Sequence, residues 1–221
     1  MKSTWTSVDD YFGDLLAPAD DALAATLRAN RKAGLPAIGV SRLQGKFLFL
    51  LIKIAHARRV LEIGTLGGYS TLWMTRALPE NGRIVTLEVD PKHVKVAREN
   101  LHAAGVLDRV DLRLGRALET LAALHASRPE PFDLVFIDAD KESNAEYLEW
   151  AVKLGRPGTV IVVDNVVRDG KVIDAKSRKG DVRGTRRMAE LMACHPRLSA
   201  TVLQTVGVKG YDGFALAVIE G

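Results

Sequence analysis

The chain has 221 residues, 47% hydrophobic and 26% charged, which excludes a disordered chain and predicts one globular domain over residues 1–221. No run approaches the ~18 consecutive apolar residues of a membrane span, and the opening MKSTWTSVDDYFGDLL lacks the basic-then-apolar layout of a secretory leader. The net charge of +4 is local, because residues 168–187 carry eight basic and three acidic side chains, net +5, and the remainder sums to −1.

Leu15, Leu16, Leu23 and Leu27 recur at roughly helical spacing and predict a first helix over 9–29. A loop with Gly34, Pro36 and Gly39 precedes a second helix over 41–56, with Ser41 as N-cap and Leu43, Phe47, Leu50, Leu51 and Ile54 on one side. Residues 1–57 therefore read as an N-terminal helical cap within the domain. From residue 58 short apolar runs alternate with helical patterns. The runs predict strands at 59–63, 83–89, 109–114, 133–138 and 158–163, and the helices fall at 70–78, 91–104, 116–126 and 143–154. Asp90 then Pro91 is an N-cap followed by the favoured first helical residue, and Gly105 is a natural stop. Such alternation means an α/β fold with a mostly parallel sheet and helices on both faces. A helix near 183–194 and apolar runs at 200–206 and 213–219 follow, the runs separated by a turn carrying Gly207, Gly210 and Gly213. They read as an antiparallel hairpin closing one edge of a seven-stranded sheet.

The lone cysteine, Cys194, excludes an internal disulfide framework and a cysteine zinc cluster, and suits a reducing, cytoplasmic compartment. The five histidines show no metal-ligand spacing and read as surface or helix residues. The basic segment 168–187 is expected to be a hydrated loop, with attraction of an anionic ligand as the alternative.

The first strand runs into Glu62-Ile63-Gly64-Thr65-Leu66-Gly67-Gly68-Tyr69-Ser70 and then a helix. A glycine loop there lets backbone approach a ligand, and the helix N-terminus favours a carboxylate or phosphate. The loop reads Gly-x-x-Gly-Gly rather than Gly-x-Gly-x-x-Gly, which counts against an NAD(P)-dependent oxidoreductase on a similar sheet. An acid, x, Gly, x-x, Gly is instead the pattern of S-adenosylmethionine-dependent methyltransferases. Glu88, at the end of the second strand, is placed to accept ribose hydroxyls, and Asp90 is assigned to capping. Gly115-Arg116-Ala117 offers small residues where an adenine could enter.

Strand four ends Ile137-Asp138-Ala139-Asp140-Lys141 and strand five ends Val163-Asp164-Asn165. In a parallel sheet these ends open into one crevice, so Asp138, Asp164 and Asn165 can converge. Taken singly, Asp138 reads equally as a helix cap, and Asp164-Asn165 as a turn. Together, three oxygen-bearing side chains suit a hard divalent cation, and Lys141 could act as general base.

These residues resemble a known family. VLEIGTLGGYSTLWM (60–74), VTLEVDPKHVKVARENL (85–101), FDLVFIDADK (132–141) and PGTVIVVDNVV (157–167), with QGKFLFLL (44–51), are similar to the cation-dependent, S-adenosylmethionine-dependent O-methyltransferases of the catechol and caffeoyl-CoA type. The resemblance implies a Rossmann-like class I methyltransferase fold and a homodimer. It implies that Gly64, Tyr69 and Ser70 hold the methionine part of S-adenosyl-L-methionine, with Glu62, Thr65, Gly68, Val89, Asp138 and Asp140 also around the cofactor. Glu88 would take the ribose, and Gly115 and Ala117 would border the adenine. Asp138, Asp164 and Asn165 would bind Mg²⁺, with Mn²⁺ or Ca²⁺ as alternatives, and Lys141 would be the base. Val40, Gln44 and Arg168 would face a small phenolic acceptor, catechol-like or hydroxycinnamoyl- or flavonoid-like, one of whose hydroxyls takes the methyl group. Nucleic acid is not the expected partner, because the basic segment lacks interleaved aromatics; an RNA methyltransferase is the alternative it motivates. Two departures concern the acceptor. Asp140 stands where the catechol enzyme has a tryptophan, and Val166-Val167-Arg168 follows the Asp-Asn pair where relatives often have Leu-Trp.

Overall fold

The apolar runs alternate between two faces, and that alternation builds the molecule. Leu61, Ile63, Val135, Ile137, Ile161 and Val163 pack into one core, and Val60, Leu134, Phe136 and Val162 into the other. In this computed structural model, which describes residues 2–18 and 20–221, the strands are β1 (Arg59–Ile63), β2 (Arg83–Glu88), β3 (Val110–Leu114), β4 (Phe132–Ile137), β5 (Gly155–Asp164), β6 (Leu198–Gly207) and β7 (Gly210–Ile219). Their order is β3-β2-β1-β4-β5-β7-β6, with β1 to β5 parallel and β7 antiparallel to both neighbours. Gly207 and Gly210 flank the hairpin turn, while Gly213 lies inside β7.

The helices are α1 (Lys2–Leu16), α2 (Asp21–Lys32), α3 (Arg42–Ile54), α4 (Tyr69–Ala77), α5 (Pro91–Ala103), α6 (Ala117–Ala126), α7 (Asn144–Leu154) and α8 (Gly180–Cys194). Leu121 and Leu124 of α6, Leu148 and Ala151 of α7 and Met188 of α8 fill the first core. Leu23, Leu48, Ile52, Leu72, Met74 and Leu101 bring α2, α3, α4 and α5 onto the other face. Each fully buried Leu, Ile or Met contributes roughly 1.5–3 kcal/mol of apolar burial, so both helical layers are needed to cover the sheet.

The helix expected over 9–29 is two helices. Asp20 breaks it: in extended conformation (φ −97°, ψ 171°), it accepts the Leu23 N–H at 2.9 Å as the N-cap of α2. Its carboxylate also pairs with Arg76 of α4, and that guanidinium, with the Leu23 N–H, holds it below the usual carboxylate range against the opposing effect of burial. Pro18 disfavours helix at the residue before it. The expected cap at Ser41 is present as a reciprocal box: Gln44 N donates to Ser41 Oγ (3.2 Å), and Ser41 N donates to Gln44 Oε1 (2.8 Å).

Strand order reverses at β1, between β2 and β4. Hydrogen bonding continues past the strand ends there, from Gly64 N to Leu87 O (3.0 Å) and from Asp138 N to Ile63 O (2.9 Å). The loops that follow β1, β2 and β4 are thereby held side by side, where ligands bind in open α/β sheets.

Candidate active site

Glu62 organises the glycine loop from behind. It is fully buried and lies outside the cavity wall, and its oxygens accept hydrogen bonds from Ser70 (2.6 Å), Thr71 (2.5 Å) and Thr86 (2.7 Å). Thr65 reaches the same chain through Thr86, at 2.6 Å. Burial pushes the Glu62 carboxyl up to about 7, against the lowering effect of the three hydroxyls. Of Glu62 and its three hydroxyl partners, which the sequence placed around the cofactor through Glu62 and Ser70, only Ser70 lines the cavity. Gly68 opens α4 without a side-chain cap, so the first-turn N–H groups of α4 remain available to an anionic group.

Glu88 ends β2 and is nearly buried. It accepts the N–H groups of Leu66 (2.8 Å), Val89 (2.9 Å) and Asp90 (3.0 Å), which fixes both oxygens at the cavity wall. Asp90 caps α5 through Lys92 N (2.7 Å), as expected. His93, one turn into α5, places Nδ1 3.5 Å from Glu88 Oε1 and lines the same cavity. The sequence reading missed it, although a cap at Asp90 puts residue 93 one turn on, beside the end of β2. Gly115, Arg116, Ala117 and Leu118 complete this wall, with Gly115 N bonded to Glu88 O at 2.9 Å.

Asp138 leaves β4, and Lys141 follows in a single 3-10 turn, residues Lys141–Ser143. Lys141 is buried, and its Nζ donates to Asp138 Oδ1 at 2.8 Å. Asp140 caps that turn through Ser143 N (3.1 Å) and accepts a short hydrogen bond from the Tyr147 hydroxyl. Burial alone would raise the Asp140 carboxyl; these donors outweigh it and hold the group below its ordinary value. Burial, with Asp140 beside it, raises the Tyr147 phenol. Tyr147, also missed in the sequence, lines the cavity.

Asp164 ends β5 and is buried just outside the wall, while Asn165 reaches the cavity. Asn165 is in the left-handed region (φ 58°), and its N–H binds Asp164 Oδ1 at 2.8 Å. Desolvation, and then the facing Asp138, push the Asp164 carboxyl up to about 7, with Lys141 opposing. Asp138 in the wall and Asp164 just behind it set two carboxyl groups beside one lysine, and a cation would favour the ionised form of both. The donors are all oxygens, so a hard divalent cation fits them. Among the described residues no three His, Cys, Asp or Glu side chains form a metal-holding group, so the third protein donor would be the Asn165 amide.

These elements enclose a cavity of about 970 Å³. Val40 and Arg168 line it as expected, but Gln44 does not, being engaged in the cap of α3. Of the eight bases in 168–187, only Arg168 reaches the wall. Arg187 pairs with Glu146, Arg186 with Val172 O and Glu190, and Lys171 with Asp169, while Lys176, Arg178, Lys179 and Arg183 are exposed. The segment is thus mainly a hydrated surface that leads into α8. No helix among the described residues is long and apolar enough to cross a membrane.

A family model described as O-methyltransferase matches residues 17–218. The catechol O-methyltransferase of Mycobacterium tuberculosis is 55% identical over 213 residues, covering 96% of this chain and 95% of that protein. The catechol O-methyltransferase of Niastella koreensis is 52% identical over 214 residues, covering 97% of each. The crystal structure of an O-methyltransferase from Bacillus cereus in complex with SAH has a TM-score of 0.98 at 55% identity, with 100% of both chains covered. Identity above one half across nearly the whole length, on the same fold, leaves one assignment: the chain belongs to the O-methyltransferase family.

Proposed function

We propose that the protein transfers the methyl group of S-adenosylmethionine to one hydroxyl of a small catechol-like phenol, with a divalent cation taking part. The observation that carries this reading is the Asp138–Lys141 pair beside Asp164 and Asn165, at the ends of adjacent strands, opening towards the glycine loop and Glu88. The SAH complex of the Bacillus cereus relative and the catechol O-methyltransferase names of the other two support it.

In this reading the N-terminus of α4, with Gly64, Thr65, Gly68, Tyr69 and Ser70, holds the methionine part of the donor. Glu88 takes the ribose, Val89, Gly115 and Ala117 border the adenine, and Asp138 and Asp140 close the donor pocket. Asp138, Asp164 and Asn165 would hold the cation, Mg²⁺ in the first place, which supplies Lewis acidity and orientation to the acceptor hydroxyl. Lys141 Nζ, acting as the free amine, accepts the hydroxyl proton, and the oxygen displaces the thioether from the sulfonium methyl, giving an aryl methyl ether. Val40 and its loop shape the acceptor side. Holding donor and acceptor in line can supply about 7–11 kcal/mol of the barrier reduction.

A single catalytic unit over residues 1–221, working as a cytoplasmic homodimer, belongs to the same proposal. The exposed Val8, Tyr11, Phe12, Leu15 and Leu16 on α1 form an apolar face that a second copy would cover. The deciding experiment is methyl transfer to a catechol panel with Mg²⁺ and with EDTA. Activity that EDTA abolishes is the expected result. Activity that survives EDTA removes the cation from the scheme, and donor binding without methylation of any phenol overturns the acceptor class.

A further inference from the structure

Helix α2 lays a side chain on the glycine loop that the sequence reading did not single out. Asn30, in the last turn of α2, lines the cavity and lies flat against Gly67. A Cβ on Gly67 would stand 2.0 Å from Asn30 Oδ1 and 2.4 Å from both its Cγ and its Nδ2. Unlike Gly64 (φ 104°) and Gly68 (φ 81°), Gly67 has no positive φ. It is the seat for Asn30, not the backbone, that requires a glycine at this position.

The orientation of the Asn30 amide follows from its partners. Asn100 of α5 donates from Nδ2 to Gly67 O and to Asn30 Oδ1, both at 2.9 Å. A carbonyl oxygen only accepts, so the Asn100 atom shared between the two is its nitrogen, and the Asn30 atom that meets it is the oxygen. Asn30 Nδ2 is therefore left over. It has no acceptor among the described residues, and it is not sealed from solvent.

The surroundings of that nitrogen call for an anion. Gly67-Gly68 runs directly into α4, whose first-turn N–H groups have no side-chain cap. Arg31, the next residue of α2, also lines the wall and has no ion pair among the described residues. Uncapped N–H groups, an amide N–H2 and a guanidinium are all donors, and together they suit a carboxylate. The acids of the wall are engaged elsewhere: Glu88 holds backbone N–H groups, and Asp138 and Asp140 stand at the end of β4. In the amino-acid part of the methyl donor only the carboxylate accepts hydrogen bonds, since the ammonium can only donate.

We propose that Asn30 binds the methyl donor, its Nδ2 donating to the α-carboxylate of S-adenosylmethionine alongside the N-terminus of α4. Asn100 acts through Asn30 and is a positioning residue. The inference rests on the methyl-transfer reading above and adds a contact from the N-terminal cap, which thereby closes on the donor itself.

The test measures binding of SAH and of decarboxylated SAH, which keeps the adenosine, the thioether and the ammonium. Asn30→Asp retains an oxygen for Asn100 and the same volume on Gly67, and exchanges only the free N–H2 for a negative oxygen. It should weaken SAH by about tenfold or more in calorimetric titration and leave the decarboxylated ligand within about threefold of wild type. Asn30→Ala, which removes the donor without adding charge, should weaken SAH several-fold and again spare the other ligand; it decides by the same comparison where Asn30→Asp does not fold. A loosened glycine loop would weaken both ligands alike. Unchanged SAH affinity, or equal losses for the two ligands, overturns the inference and leaves the methyl-transfer reading standing. A wild-type protein that does not bind SAH sinks that reading and this inference with it.

Discussion

Lys141 Nζ lies 2.8 Å from Asp138 Oδ1, and both side chains face the cavity. The pairing follows from the end of β4. Asp140 caps the 3-10 turn Lys141–Ser143, and the turn returns residue 141 to the side of residue 138. Lys141 is only 8% exposed, so its ammonium is held by geometry as well as by charge.

Replacing Lys141 by Met should lower kcat by about 10²–10⁴-fold, the range of a lost general base, with SAH affinity within a few-fold of wild type. Lys141→Arg keeps the ion pair but remains protonated, so it should be as slow as the Met variant. Rescue by Arg would mean that the side chain is structural. Initial rates and calorimetric titration of the three proteins decide.

Gly64→Ala should damage fold and site together. Gly64 has φ 104°, outside the range of L side chains, and a Cβ there would meet the Asp138 carbonyl oxygen at 2.2 Å. That carbonyl belongs to the peptide following the one whose N–H binds Ile63 O, so it cannot move without parting β1 from β4. A loss of about 2 kcal/mol or more in urea unfolding, with greatly weakened SAH binding, is expected. Unchanged binding would show that the glycine loop does not form the donor site.

The parallel strands were legible because each is an apolar run between turn residues, and β4 and β5, covered on both faces, are apolar nearly throughout. The break between α1 and α2 was not, because Leu15, Leu16, Leu23 and Leu27 keep a helix-like spacing across it. Leu15 and Leu16 are each 61% exposed, so their spacing carried no packing information. The glycine loop and the Asp138–Lys141 stretch stood out because their roles follow from position at a strand end. His93 and Tyr147 did not, since each is a helix residue whose face depends on where the helix starts. Asn30 depends on a partner 70 positions later, Asn100, and no local pattern encodes that. Gln44 was assigned to the acceptor although Ser41-x-x-Gln44 already spells a capping box.

Glu62 gives a pH prediction with a definite sign. Its folded-state carboxyl titrates at about 7 and its reference value is 4.5, so the native state binds the extra proton between them. The associated stability is fully present below 4.5 and is lost as pH rises through about 7. The full difference corresponds to roughly 3 kcal/mol. Glu62→Gln should therefore flatten the fall in Tm between pH 5 and pH 8 (about two units below the folded value to about one above it). Asp164 is raised in the same direction, so the informative quantity is the difference between the two proteins. Parallel Tm profiles would show that Glu62 is ionised throughout.

Gly184 should control Lys141 from a distance. It lies inside α8 and is buried, and a Cβ there would stand 2.1 Å from the Lys141 carbonyl oxygen and 2.6 Å from the Glu142 Cα. Both atoms are backbone of the 3-10 turn that carries the lysine. Helix propensity favours Ala over Gly by about 1 kcal/mol, so Gly184→Ala sets helix stability against the position of that turn. The turn is expected to shift, lowering kcat by about tenfold or more, because small misplacements of a catalytic group are costly. The donor's KM should change little, since the glycine loop is on other strands. Gly180→Ala is the matched control in the same helix: its Cβ would meet only the flexible end of the Glu142 side chain, which can swing aside, so its rate should stay near wild type. Equal rates for the two variants would show that the Lys141 turn yields without consequence, and that α8 does not position the base.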